Sequence, residues 1–337
     1  MLLAGEDPYA LTPLAPALAP LRARVPLPVD HLDVATCYPP LGLALFAVAA
    51  LAGAKGLWAW KGLCALASIT TARVASRLAV ARGAGRWAPR VVLGPIAVLE
   101  SMVGAHLETF VALAAVLMID GALRARWDRA ALWAGAVVAL KIVPGIIVLP
   151  VLARAPRPVR FALLATLPFS VSFGLAELAG LTAPGSLPTV ATHWSFGSPI
   201  WTALYAALPT HDDVIRPVLA VVGLLGVIGV TLRRRHDLPR NTVAAAGVGL
   251  AMSPVVYPWY GAVIAALLPL APRRWAIGAL AVLPCTYEVL DAYQAHHRWT
   301  PARWPMVLLA GVTLLGRLAD RPVSSNGESN QENAPLT

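Results

Sequence analysis

Charge is what this 337-residue chain has least of: Asp, Glu, Lys and Arg together make up 13% of it, and the only lysines are Lys55, Lys61 and Lys141. A chain so poor in charge and 58% hydrophobic lacks the polar surface of a large water-soluble domain. Its net charge of +10 is almost all arginine, clustered between apolar runs as in the cytoplasmic loops of membrane proteins. No basic stripe interleaved with aromatics accompanies it, so no nucleic-acid partner is expected. Three cysteines, Cys37, Cys64 and Cys285, are too irregularly spaced for a disulfide framework or a zinc site. Also missing are a Gly-rich phosphate loop, His-Glu-x-x-His and Gly-x-Ser-x-Gly, the signatures of soluble nucleotide use, zinc proteolysis and serine hydrolysis. The opening MLLAGEDPYALTPLAPALAP has neither the positive start nor the apolar core of a signal peptide, and reads as though the chain began in mid-loop.

What the chain does have is one apolar segment after another. Length and hydropathy predict an all-α, polytopic helical membrane protein of roughly 10–12 membrane segments, some of them short or broken. Residues 1–38 carry six prolines, Glu6, Asp7, Asp30 and Asp33, and are expected to form an extracytoplasmic loop. Residues 39–319 form the transmembrane domain, and 320–337, ending in SSNGESNQENAPLT, a disordered cytoplasmic tail. Within the domain, Tyr38-Pro39-Pro40 opens a run to Gly53 that is too short to cross directly. The run from Leu57 to Val80 is long enough, and Arg73, Arg77, Arg82, Arg86 and Arg90 mark its inner end. Two segments, 91–103 and 109–123, form a hairpin whose tip is 104–108. Further spans are read at 161–179, 214–232, 241–257, 260–272, 275–290 and 304–319.

The run 130–152 is flanked on both sides by basic clusters, RARWDR at 124–129 and RAPRPVR at 154–160, and one straight span cannot put both inside. A break near Lys141-Ile142-Val143-Pro144-Gly145 resolves this by making two half-helices, with Lys141 at an outward-pointing tip. A plain span with Lys141 snorkelling is the competing reading.

On this topology the charged and aromatic groups converge on the outer side. A carboxylate at the centre of a bilayer costs at least ~2.5 kcal/mol, so Glu100 must face protein, water or a partner. His106 and Glu108 at the hairpin tip are either further site residues or simply solvated. The loop 180–199 brings His193 and Trp194, and SPVVYPWY at 253–260 brings Tyr257, Trp259 and Tyr260, which also fit an interfacial aromatic belt.

The order of these elements resembles the multispan GT-C glycosyltransferases of bacteria, the group with polyprenyl-phosphate-mannose-dependent mannosyltransferases and glycosyltransferase family 87. The likeness runs from about Gly5 to Pro272. It rests on Gly5-x-x-Pro8-Tyr9, Tyr38-Pro39-Pro40, Gly94-Pro95 to Glu100, Gly104-Ala-His106-Leu-Glu108, Lys141-Ile-Val-Pro144, and Ser253-Pro254 to Pro258-Trp259-Tyr260. The resemblance implies inverting transfer of a sugar, mannose or another hexose, from a polyprenyl-phosphate carrier to a lipid or glycan acceptor. It places the reaction at the outer face of the inner membrane and implies no cofactor and no metal. The expected catalytic residues are Glu108, His106, Glu100 and Asp33. The expected substrate-binding residues are Lys141, Tyr38, His193, Trp194, Tyr257, Trp259 and Tyr260.

Two departures from the family's pattern stand out. Its acceptor-activating Asp follows a first span that here would lie before Met1, so the chain is read as truncated or as using a local acid such as Asp7, Asp30 or Asp33. Gly94 stands where Asn is frequent, and Glu108 where Asp is commoner. A lipid-carrier flippase, which would share the broken helices but should carry an internal repeat, and a catalytically inactive homologue are the alternatives.

Overall fold

The computed structural model describes residues 1–23, 31–83, 94, 98–233, 237–290, 293 and 301–320. The expected Arg86 and Arg90 end of the inner loop, Asp30, Pro95, most of 291–299 and the tail 321–337 lie outside them. Helices dominate, and no strand occurs among the described residues. In chain order the main helices are α1 (Pro40–Ala50), α2 (Gly56–Ala81), α3 (Glu108–Leu123), α4 (Trp127–Leu140), α5 (Pro158–Leu178) and α6 (Leu187–His193). Then come α7 (Pro199–Ala207), α8 (Asp212–Leu232), α9 (Leu238–Met252), α10 (Gly261–Leu267), α11 (Arg274–Val282) and α12 (Trp304–Ala319).

Three helical segments among the described residues are long and apolar enough to cross a membrane: Gly53–Ala81, Pro158–Leu178 and Asp212–Leu232. At 21 residues, α5 and α8 each run ~31 Å, about the thickness of a bilayer's hydrocarbon core. α5 leaves Val159, Leu163, Leu167, Val171, Leu175 and Leu178 exposed along its length. A continuous apolar face of that size is what lipid covers.

The centre of the bundle is α3, whose Val111, Ala115, Val116, Met118 and Ile119 have no exposed surface. A helix apolar on every side must be surrounded, and α2, α4 and α10 pack around it. Where helices meet, small residues set the spacing. A Cβ on Gly135 of α4 would come within 2.2 Å of the Ala165 carbonyl oxygen of α5, so only glycine permits that approach.

The basic segments pair off in space. Asp128, at the start of α4, takes a two-pronged hydrogen bond from Arg160 of α5, at 2.9 and 2.6 Å. The chain between them therefore leaves one end of the bundle and comes back to it. α4 stops at Leu140, Lys141 is extended, and a tight turn at Val143–Val148 and a short helix at Leu149–Leu152 complete the return. Pro144 has no N–H to give the Leu140 carbonyl, which is why the helix ends there. At the same kind of Arg-rich junction, Arg82 after α2 pairs with Asp237, the N-cap of α9.

Two sequence expectations are corrected. Residue 320 does not belong to a loose tail: Asp320 accepts the Arg274 N–H at 3.1 Å and ties the end of α12 to the start of α11. The loop 180–199 contains α6. The 1–38 segment, read as a loop, is tied down by hydrogen bonds: Ser186 donates to the carbonyls of Ala35 and Thr36, and Asp7 accepts from the Thr182 N–H at 2.9 Å and its hydroxyl at 2.8 Å. Burial alone would raise the Asp7 carboxyl, but the N–H groups of Tyr9 and Thr182 and the Thr182 hydroxyl outweigh it and hold it below its usual value.

Two outcomes follow. Gly135→Ala should destabilise the protein by about 3 kcal/mol, since backbone must move to admit the methyl group; Gly174→Ala, which meets nothing within 4 Å, should leave thermal unfolding in detergent within experimental error. A lowered Asp7 pKa means its contribution is complete above the unfolded value of about 3.9 and is lost as pH falls below it. Limited proteolysis of the 1–38 segment should therefore accelerate in that acid window in the wild type, and lose this pH dependence in Asp7→Asn.

Candidate functional site

The hairpin tip is narrower than its sequence reading. Val98–Val103 is a π-helical turn carrying Glu100, residues 104–107 make the bend, and Glu108 already opens α3. Three bonds hold the bend: the Gly104 N–H to the Leu99 carbonyl at 2.7 Å, the His106 N–H to the Glu100 carbonyl at 3.0 Å, and the Trp60 indole N–H of α2 to the Ala105 carbonyl at 2.6 Å. Ala105 sits in the left-handed region at φ 53°, a conformation that a non-glycine residue keeps only when its surroundings impose it.

Glu108 is not a solvated tip residue. Its side chain is 2% exposed, and it forms an ion pair with Lys141 Nζ, itself 17% exposed. Lys141 reaches it because the helix break turns the lysine backbone extended, at φ −158° and ψ 126°. The same ammonium lies 4.2 Å over the Tyr260 ring. Two charges that are expensive to desolvate separately are thus matched with one another and with a ring face.

Glu100, 1% exposed, is the second buried carboxyl. Its Oε2 accepts from the Tyr287 hydroxyl at 2.7 Å and lies 3.5 Å from His106 Nε2, while Oε1 has no partner. The imidazole stacks on Trp259 with centroids 4.0 Å apart. Gly104 makes this possible, since a Cβ there would sit 2.8 Å from the imidazole. The stack continues through Tyr257, 4.3 Å from Trp259, to Phe196, 4.7 Å further on. The loop before α7 joins SPVVYPWY by backbone bonds, Val256 N–H to the Phe196 carbonyl at 2.7 Å and Phe196 N–H to the Pro254 carbonyl at 3.0 Å. Gly197, at φ 63°, has the Val256 oxygen 2.4 Å from where its Cβ would be.

A cavity of about 100 Å³ opens beside the ion pair. Glu108, Lys141 and Tyr260 line it together with an apolar wall that includes Val143, Pro144, Ile147 and Ile264. The lining thus combines one ion pair and a phenol with an otherwise apolar wall.

Most of the residues singled out in the sequence meet here: Glu100, His106, Glu108, Lys141, Tyr257, Trp259 and Tyr260. Tyr38 joins them, within electrostatic reach of Glu108, Lys141 and Tyr260, its carbonyl fixed by the Tyr9 hydroxyl at 2.9 Å. Three others do not share these contacts. Asp33 is exposed. His193 is exposed and turns its Nδ1 to the Thr192 hydroxyl at 2.7 Å. The Trp194 ring packs on His31, 4.5 Å between centroids, and its carbonyl takes the Arg216 guanidinium. The loop 180–199 reaches the aromatic stack through Phe196 instead. Tyr287 and Phe196 were missed in the sequence. Thr286-Tyr287-Glu288, three polar residues inside an apolar run, was the available signal for the tyrosine. Among the described residues no group of three or more His, Cys, Asp or Glu is placed to hold a metal.

A buried pair is damaged most by halving it. Lys141→Met and Glu108→Gln should each cost about 3–5 kcal/mol of stability. The double variant should lose markedly less than the sum, because no lone charge is left behind. Denaturation of the four proteins in one detergent measures the coupling, and simple additivity would mean that the two groups do not depend on each other. In comparisons with known proteins, no family model, curated protein or solved structure matches the chain.

Proposed function

We propose that this chain is a membrane glycosyltransferase of the GT-C kind, which moves a hexose, mannose in the first instance, from a polyprenyl-phosphate carrier to a lipid or glycan acceptor at the outer face of a bacterial inner membrane. One observation carries this reading: a largely apolar cavity whose lining includes a lysine paired with a buried carboxylate. A prenyl chain suits the apolar walls, and its phosphate suits the ammonium.

In this reading Lys141 trades partners. It is a compact charge with three donors, so an arriving phosphate can draw it from Glu108 without exposing either group to water. The freed Glu108 carboxylate then accepts the acceptor's hydroxyl proton. The acceptor oxygen bonds to the anomeric carbon from the face opposite the phosphate. The carbon–oxygen bond to phosphate breaks with its electron pair on the phosphate, and configuration inverts. Lys141, with His106 as a second donor, stabilises the charge that develops there. The Trp259–Tyr257 stack gives the sugar ring an apolar face.

Purified protein in nanodiscs, given polyprenyl-phosphate carrying a radiolabelled hexose and a membrane-lipid extract as acceptor, should transfer label to acceptor. Glu108→Gln/Lys141→Met, in which the pair is neutral and the fold is spared, should lose at least ~100-fold in turnover. Asp128→Asn, at the far end of α4, should match the wild type. Movement of intact donor between the leaflets of a vesicle, with no sugar transferred, would favour the flippase instead.

A further inference from the structure

Next to α3 lies a second, smaller cavity, of about 20 Å³, that is lined by hydroxyls where the first is apolar. Four hydroxyl residues line it, backed by alanines: Ser68 and Thr71 from α2, Ser101 from the π-helical turn, and Thr109 from α3. All four are at least nine-tenths buried. The Thr71 hydroxyl donates to the Ala67 carbonyl at 2.8 Å and keeps lone pairs free. Ser68 Oγ has no hydrogen-bond partner, and Thr109 Oγ1 has none beyond the weak contact of a thiol. The Cys64 thiol lies beside Thr109, but a thiol is too weak a donor and acceptor to replace one.

We infer that this cage holds a single water molecule bonded to Ser68 and Thr109. A space of ~10–15 Å³ already admits one water, and two to four polar partners are what such a water needs. A bare cation does not fit the same cage, since its lining of neutral hydroxyls and methyl groups offers no compensating charge. Ser68 and Thr71 stand three residues apart and so share one face of α2. Ser101 directly follows Glu100, and Thr109 directly follows Glu108. The water therefore ties α2 to the start of α3 beside Glu108, and lies against Ser101, the neighbour of Glu100. Its presence does not depend on what the outer site transfers.

Two measurements on the full chain decide this. A single-particle map fine enough to show waters should have an isolated peak within hydrogen-bond distance of Ser68 Oγ and Thr109 Oγ1, absent in Ser68→Ala/Thr109→Val. In thermal unfolding, Ser68→Ala and Thr109→Val should each lower Tm by roughly 2–4 °C, and the double variant should fall little further than the worse single one, because both hydroxyls serve one water. An empty cage in the wild-type map overturns the inference even if the variants do not fold. So do strictly additive losses, and so does a peak that strengthens when rubidium replaces sodium, which would make the occupant a cation.

Discussion

The Glu108–Lys141 ion pair is the constraint around which this end of the bundle is arranged. A carboxylate that is 2% exposed survives only beside a cation, because moving either charge alone out of water costs several kcal/mol. Meeting that demand requires α3 to begin at Glu108 and α4 to stop at Leu140, so that Lys141 can leave the helix and turn inward. Pro144 supplies the stop and Ala105 the sharp bend. At the bend, the freed Ala105 carbonyl accepts the Trp60 indole N–H and the His106 N–H donates to the Glu100 carbonyl, so the irregular backbone there finds its partners within the protein.

From this pair the remaining parts of the site follow by contact. Tyr260 lies under the ammonium, and its neighbours in SPVVYPWY build the stack that reaches His106 and, through it, Glu100 and Tyr287. Two buried carboxyls thus sit in one region in different company. Glu108 is matched by a full positive charge, and Glu100 by a phenol and an imidazole. The two carboxyls are therefore held by different kinds of partner, one by charge and the other by hydrogen bonding and an aromatic ring. The apolar cavity beside the pair adds the third component, a place for hydrocarbon next to a place for an anion.

Much of this was legible in the residues. Long apolar runs and interspersed arginines pointed to the helical, membrane-associated class and to the bounds of the helices at 40–50, 56–81, 108–123 and 304–319, but not to α6 or α7. The basic clusters on both sides of 130–152 required a return of the chain, and Lys141 with Pro144 marked where it turned. Rarity singled out Glu100, His106 and Glu108, since polar groups in apolar runs are too costly to be incidental. Asp33, His193 and Trp194 were picked on weaker grounds: Asp33 as a local acid in place of the family's Asp, and the other two as members of a loop expected on the same face. That face is wide, and the structure gives them other neighbours or solvent.

The sequence by itself determined which residues are too polar for lipid and where helices must start and stop, because both are local properties of composition and backbone chemistry. It could not say which polar groups answer one another. Glu108 and Lys141 are 33 positions apart, and Glu100 and Tyr287 are 187 apart. Tyr287 looked like one more aromatic in a span, and Ser68 and Thr109 like two unremarkable hydroxyls. Only the tertiary structure decided these pairings, because a buried charge or hydroxyl is satisfied by whatever the packing of distant helices brings within about 3 Å of it, and no local pattern encodes that distance.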